Sequence, residues 1–218
     1  MNITIDTALQ SKCPQLQLGC IQTELVVAPS SSELLELLAK TATKIAGELE
    51  LEAISQLPVN QATREAYKAL GKKPGRYRPS AEALIRRVVS GKGLYQINNV
   101  VDFLNYISVT SHFSIGGYDL EKIQGDITLG IGKENEPYDA IARGALNIAN
   151  LPLFRDTLGP FGSPTSDSTR TMVRETTRQF LMVIFNFGGH ESMQKLYPEI
   201  ESGLQRFCQG RQITFWEV

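Results

Sequence analysis

Seven basic side chains, Lys72, Lys73, Arg76, Arg78, Arg86, Arg87 and Lys92, fall in one stretch that holds a single acid, Glu82, for a local charge of +6. Clustered Lys and Arg are what a phosphate backbone requires, because each contact releases counterions, and a ring such as Tyr77 among them can stack on an unpaired base. The same residues also read as a solvated helix face beside a basic loop, with their charges paired to acids from elsewhere in the fold. The whole chain carries 22 Lys+Arg against 23 Asp+Glu, a net charge of -1, so the rest holds 15 basic and 22 acidic residues, or -7. A protein basic on all sides is excluded, and any RNA contact is expected to be local and salt-sensitive.

Other chemistry fails on spacing. Gly130-Ile131-Gly132 begins like a dinucleotide loop, but Asn135 stands where the third glycine is needed, and no Gly-x4-Gly-Lys-Ser/Thr occurs. His190-Glu191 opens like a zinc-protease helix, yet Gln194 takes the place of the second histidine and leaves too few ligands. His112-Phe113-Ser114-Ile115-Gly116 has the outline of a nucleophile elbow with a histidine where the tight turn needs glycine. Cys13, Cys20 and Cys208 are odd in number and contain no Cys-x-x-Cys pair, which argues against a disulfide framework and a structural zinc site. No metal and no cofactor is expected.

The elements that must position these groups follow from composition and period. A 218-residue chain that is 42% apolar and 21% charged folds around a core, and residues 1–218 are read as one domain. Met1 to Gln10 lacks the basic start and apolar run of a signal peptide, and no stretch approaches about 18 consecutive apolar residues, so a soluble cytoplasmic protein without a membrane partner is expected. Leu16 to Val27 alternates as a strand. Ser30-Ser31-Ser32-Glu33 offers a capping box for a helix to about Leu51. A helix over Gln61 to Leu70 stops at Gly71, a loop follows to Pro79, and Ser80 caps a helix whose Leu84, Ile85, Val88 and Val89 share a face. Asn98 or Asn99 opens another helix, and a turn is expected at Gly116-Gly117. Ile127 to Ile131 and Phe180 to Phe187 read as strands, and the tail as a helix over Glu191 to Phe207 and a strand over Gln212 to Glu217. This order lacks a repeated strand–helix–strand rhythm, so α+β is favoured over a doubly wound parallel sheet.

Three segments then run in order: Arg76-Tyr77-Arg78-Pro79-Ser80-Ala81-Glu82-Ala83-Leu84, Ile97-Asn98-Asn99-Val100-Val101-Asp102-Phe103-Leu104-Asn105-Tyr106, and Gly116-Gly117-Tyr118-Asp119-Leu120-Glu121-Lys122-Ile123-Gln124-Gly125-Asp126-Ile127. Together they resemble the editing module of the phenylalanyl-tRNA synthetase beta subunit, its third and fourth B domains, and above all free-standing versions of it. The resemblance covers roughly residues 71–189. It implies a β-sandwich-like core layered with helices, a pocket at the joint of its two halves, and tRNA or the 3' end of aminoacyl-tRNA, with its amino acid, as partner. In that family the module hydrolyses tyrosine wrongly attached to the phenylalanine tRNA. Aminoacylation by this chain alone is not implied; any enzymatic role would be that of an aminoacyl-tRNA deacylase acting in trans.

The family's pocket histidine falls on Gly116 in Ser114-Ile115-Gly116-Gly117-Tyr118-Asp119, and its pocket glutamate falls on Pro164 in Gly159-Pro160-Phe161-Gly162-Ser163-Pro164. Neither replacement can orient water or exchange a proton. Amides near Gly116, Gly117, Gly162 and Ser163 remain to stabilise an oxyanion, and Tyr118 lies between them in sequence. In the polar set after Pro164, Asp167 is a candidate base, Arg170 a partner for phosphate or carboxylate, and Ser114 or Ser168 a contact for the amino group. Thr165-Ser166-Asp167-Ser168 equally reads as a turn in which Asp and Ser bond their own backbone. The competing functions are a catalytically silent RNA- or protein-interaction module and a free amino-acid binder.

Overall fold

The apolar run Phe180 to Phe187 lies at the middle of the molecule because both faces of its strand are covered. In chain order the elements are β1 (Ile3–Ile5), α1 (Thr7–Lys12), β2 (Gln17–Glu24), α2 (Ser32–Glu48), α3 (Pro58–Ala69), α4 (Ser80–Val89), α5 (Asn99–Ser111), β3 (Ser114–Asp119), β4 (Ile127–Ile131), β5 (Asp139–Ala140), β6 (Gly144–Ala145), β7 (Pro152–Asp156), β8 (Gly159–Gly162), β9 (Gln179–Asn186), α6 (Tyr197–Cys208) and β10 (Arg211–Glu217). This computed structural model describes residues 1–188 and 192–218, so His190-Glu191, and with it the start of the tail helix expected from Glu191, lies outside the described residues.

Two four-stranded sheets have the orders β1-β4-β7-β8 and β10-β2-β9-β3, and β5 and β6 form a separate two-stranded pair; β1 and β4 pair in parallel, Ile3 opposite Ile127, and the other neighbours are antiparallel. On β9, Leu181, Val183 and Phe185 point into the seam between the sheets, where they meet Ile127, Leu129, Phe154 and Phe161. The alternate residues Phe180, Met182 and Ile184 point the other way, to Leu34 and Leu38 of α2, Phe103 and Ile107 of α5, and Ile200 and Leu204 of α6. A strand covered on both faces has no polar side to show, which is why this segment is a continuous apolar run. Each full burial of this kind stabilises by roughly 1.5–3 kcal/mol. The architecture is therefore α+β: two facing sheets with a helical layer on one outer face.

Three local expectations change. Gly116 and Gly117 form no turn; they lie inside β3, opposite Val183 and Met182. A Cβ on Gly117 would come 2.6 Å from Leu104 Cδ1, and one on Gly116 would overlap the Tyr118 ring. These glycines serve close packing rather than backbone reversal. Ser80 does not cap α4: Pro79 holds the cap position without a side-chain bond, and Ser80 is the first helical residue. The capping box does not close either, because the cap is Ser31, which accepts from the Leu34 N–H, while Ser30 donates to Asp102 and Glu33 pairs with Arg206.

Candidate functional site

The site begins at Tyr118, whose position in the strand is fixed by what its neighbours lack. Residues two apart on a strand share a face, so the Tyr118 ring leans over Gly116, and across the seam it meets Gly162 at the end of β8. A Cβ on either glycine would overlap the phenol oxygen. Tyr118 is fully buried, with Phe154 and Phe161 edge-on to its ring at centroid distances of 6.0 and 5.1 Å. Its hydroxyl donates to Asp167 Oδ1 at 2.9 Å. Asp167 also receives the backbone N–H groups of Gly117 and Ser163, while burial pushes its carboxyl up to about 7. Burial, and then the Asp167 charge, hold the Tyr118 phenol well above its ordinary range. The arrangement is a carboxyl group able to exchange a proton at neutral pH, oriented by a phenol.

Gly116, Gly117, Tyr118, Gly162, Ser163 and Asp167 thus converge on one polar point. Ser163 joins through its backbone N–H, while Ser114, Ser168 and Arg170 do not join. The Ser163 hydroxyl accepts from the N–H of Thr165 and Ser166 and donates to Ser166 O, closing the Thr-Ser-Asp turn on its own backbone. Ser168 accepts from the Arg170 N–H at the start of a 3₁₀ turn. Arg170 is held by Asp156 through two contacts of 3.0 and 2.8 Å and by the carbonyls of Lys122 and Gly159, so its charge is already matched. Ser114 is buried in β3 and accepts from the Ala81 N–H, which leaves no exposed nucleophile at the elbow-like segment.

The basic stretch divides into two groups. Glu82, with no exposure, receives Arg64, Arg78 and Arg86, at 3.0, 3.6 and 2.9 Å. Arg86 lies one turn after it on α4 at i+4, and Arg78 reaches it from the loop just before the helix cap. Arg87 lies 3.9 Å over the Tyr95 ring. These arginines hold α4 in place. Lys72, Lys73, Arg76 and Tyr77 instead line a cavity of about 380 Å³, closed on the far side by Glu134, Asn135, Asn147, Ala149 and Asn150. The Lys72 ammonium donates to Asn147 O at 3.0 Å and Ala149 O at 2.5 Å and sits 3.7 Å over the Tyr77 ring, so one face of that ring is taken. Burial, and then the neighbouring Arg76 charge, lower the affinity of Lys72 for its proton. Among the described residues, Lys72, Lys73 and Arg76 have no carboxylate partner, unlike Arg155 with Glu136, Arg170 with Asp156 and Arg206 with Glu33.

Sequence reasoning missed the far wall of the cavity and missed Tyr138, which donates to Ser166 O at 2.7 Å and braces the Asp167 turn. Neither carries a motif; Asn135 stood out only as a failed glycine. Among the described residues, no group of three or more His, Cys, Asp or Glu side chains converges as metal ligands, and no helix is long and apolar enough to cross a membrane.

The B3/4 domain family model matches residues 62–202, well over half of the chain. No curated protein matches. Among solved structures, an N-terminal fragment of the phenylalanyl-tRNA synthetase beta-subunit from Pyrococcus horikoshii is similar, at 13% identity and a TM-score of 0.48. The similarity covers 100% of this chain and 54% of that one, so the chain spans about half the length of that fragment.

Proposed function

This chain belongs to the B3/4 domain family, as a homologue of the synthetase editing module it resembles, and from that premise we propose that it binds the acceptor end of tRNA or aminoacyl-tRNA. The observation that supports this reading is the cavity in which Lys72, Lys73 and Arg76 converge, outnumbering its one carboxylate, Glu134, and forming no ion pair among the described residues. A net positive charge at a concave surface attracts a polyanion, and the remainder of the chain is acidic enough to favour that face. Lys73 and Arg76 are exposed and make no side-chain hydrogen bond among the described residues, so they can be removed without dismantling the fold.

Binding of unmodified tRNA, followed by fluorescence anisotropy across a salt series, tests the reading. The Lys73→Ala, Arg76→Ala double variant should weaken binding and lower the log–log salt slope by about 1–2. Unchanged affinity and slope would remove the cavity from RNA binding.

A second reading, hydrolysis of the aminoacyl ester, is favoured by the neutral-range carboxyl of Asp167. In that role Asp167 takes a proton from a water molecule as it attacks the ester carbonyl. The ester bond then breaks and the ribose oxygen leaves as the terminal alcohol, taking back the proton that Asp167 accepted. Release of amino acid from a panel of tyrosyl-, alanyl- and other mischarged tRNAs, abolished by Asp167→Asn, is the expected result. No release above the buffer rate would leave a silent binding module.

A further inference from the structure

The charge inventory of the cavity is specific enough to say which kind of phosphate suits it. Its ionisable lining is Lys72, Lys73 and Arg76 against Glu134, with Tyr77 neutral, a net of +2. An internal phosphodiester of RNA carries one negative charge. A terminal phosphomonoester carries about −1.5 to −2 at pH 7 and three acceptor oxygens. Donors are available to match those oxygens. The Asn135 and Asn150 amides carry no hydrogen bond among the described residues, and Asn147 uses only its oxygen, to accept the Ala149 N–H. Asn135 and Asn150 both sit in the left-handed region, at φ of 59° and 63°, which turns the chain sharply at two points of the rim. Lys72, on the near wall, is tied to that same rim through its bonds to Asn147 O and Ala149 O. The volume falls in the range of about 300–1,000 Å³ seen for small-molecule sites, enough for a phosphoryl group and its attached sugar. The Tyr77 ring gives one face to Lys72, which weighs against a site built on base stacking and for one built on charge.

We propose that the cavity between Lys72–Tyr77 and Glu134–Asn150 binds a terminal phosphomonoester, the 5'-phosphate end of an RNA or of a free nucleotide, in preference to an internal phosphodiester. The inference rests on the RNA-end reading of the same cavity, and the test separates the two. One short single-stranded RNA is prepared with a 5'-phosphate and with a 5'-hydroxyl, and adenosine 5'-monophosphate serves as the free source. Binding is measured for the full chain and for Lys73→Ala, Arg76→Ala, with the unfolding midpoint of the variant checked against wild type.

The expected result is roughly tenfold tighter binding of the 5'-phosphate RNA than of its 5'-hydroxyl twin, as for gain of a charge-assisted contact, with the difference lost in the variant. Equal binding of the two RNAs would overturn the phosphomonoester preference and leave the RNA reading standing. Binding of the mononucleotide alone, lost in the variant, would support the phosphomonoester site and overturn the RNA reading. Binding of none of the three would overturn both.

Discussion

Tyr118 donates to Asp167 Oδ1 at 2.9 Å from a ring that lies over two glycines, Gly116 on its own strand and Gly162 on β8. The contact ties β3 of one sheet to the turn that follows the other. The phenol occupies the space that a side chain at position 116 would need, so the glycine and the tyrosine depend on each other in physical terms. Gly116→Ala should force the ring aside and cost about 1–3 kcal/mol, as overpacking of a dense core does. The measurement is chemical denaturation, and a variant as stable as wild type would mean that the ring does not need that space.

Asp167 makes stability depend on pH in an unusual direction. A carboxyl ordinarily titrates near 3.9 in an unfolded chain, and here burial raises it to about 7. Between those values the folded protein holds a proton that the unfolded chain has released, so stability falls as pH rises through the window and levels off above it. The full effect is about 2–4 kcal/mol. Asp156 and Glu136, whose carboxyls are held low by Arg170 and Arg155 against the opposing effect of their burial, act in the opposite sense and only at lower pH. Asp167→Asn, which resembles the protonated form, should flatten the profile between about pH 4 and 7. Urea unfolding at pH 5 and pH 8 decides it, and a wild-type protein more stable at pH 8 than at pH 5 would refute the assignment.

Glu82 stabilises α4 by neutralising three guanidinium groups. Removal of one partner from a buried ion pair costs about 3–5 kcal/mol, reduced here because the arginines keep a quarter to two-fifths of their side-chain surface in solvent. Glu82→Gln should therefore lower stability by about 2–4 kcal/mol, while Lys73→Ala stays within about 0.5 kcal/mol of wild type. Thermal unfolding of the two variants should show this contrast; equal losses would contradict the division of the basic stretch.

Burial pushes the Cys20 and Cys208 thiols up to about 12, and Cys13 is raised for the same reason. All three are free and buried. Thiolate is the reactive form, so a disulfide reagent should modify none of them rapidly in the native protein and all of them in denaturant. Fast labelling of one thiol at neutral pH would mean that its packing is not as described.

Where the sequence spoke clearly, a period or a spacing carried the information. The strand over Phe180 to Phe187 and the helices opening at Asn98 or Asn99 and ending near Gly71 were legible from pattern and cap residues alone. Gly116-Gly117 read as a turn because glycine commonly marks one, whereas its role here is to make room for Tyr118 and Leu104, which only the third dimension shows. Arg78, Glu82 and Arg86 at spacings of four offered a usable signal that some of the basic stretch was internally neutralised. The division from Lys72, Lys73 and Arg76 depends also on Arg64, a residue of α3 outside the basic stretch. Asn135, Asn147 and Asn150 join the cavity across more than sixty residues of chain, a distance at which no local motif operates.

The parallel pairing of β1 with β4 brings Ile3 beside Ile127, a separation of 124 residues. At about 5–20 residues per second on a ribosome, β1 waits roughly 6–25 seconds for β4, its one ladder neighbour among the described residues, to be made. Throughout that interval Ile3 and Ile5 stay without their ladder partners. Closure of so long a loop also sets a slow step for refolding in solution. A nascent chain halted before Ile127 would therefore carry β1, β2 and β3 as strand segments without ladder partners, since β2 and β3 are joined through β9 and β1 pairs with β4.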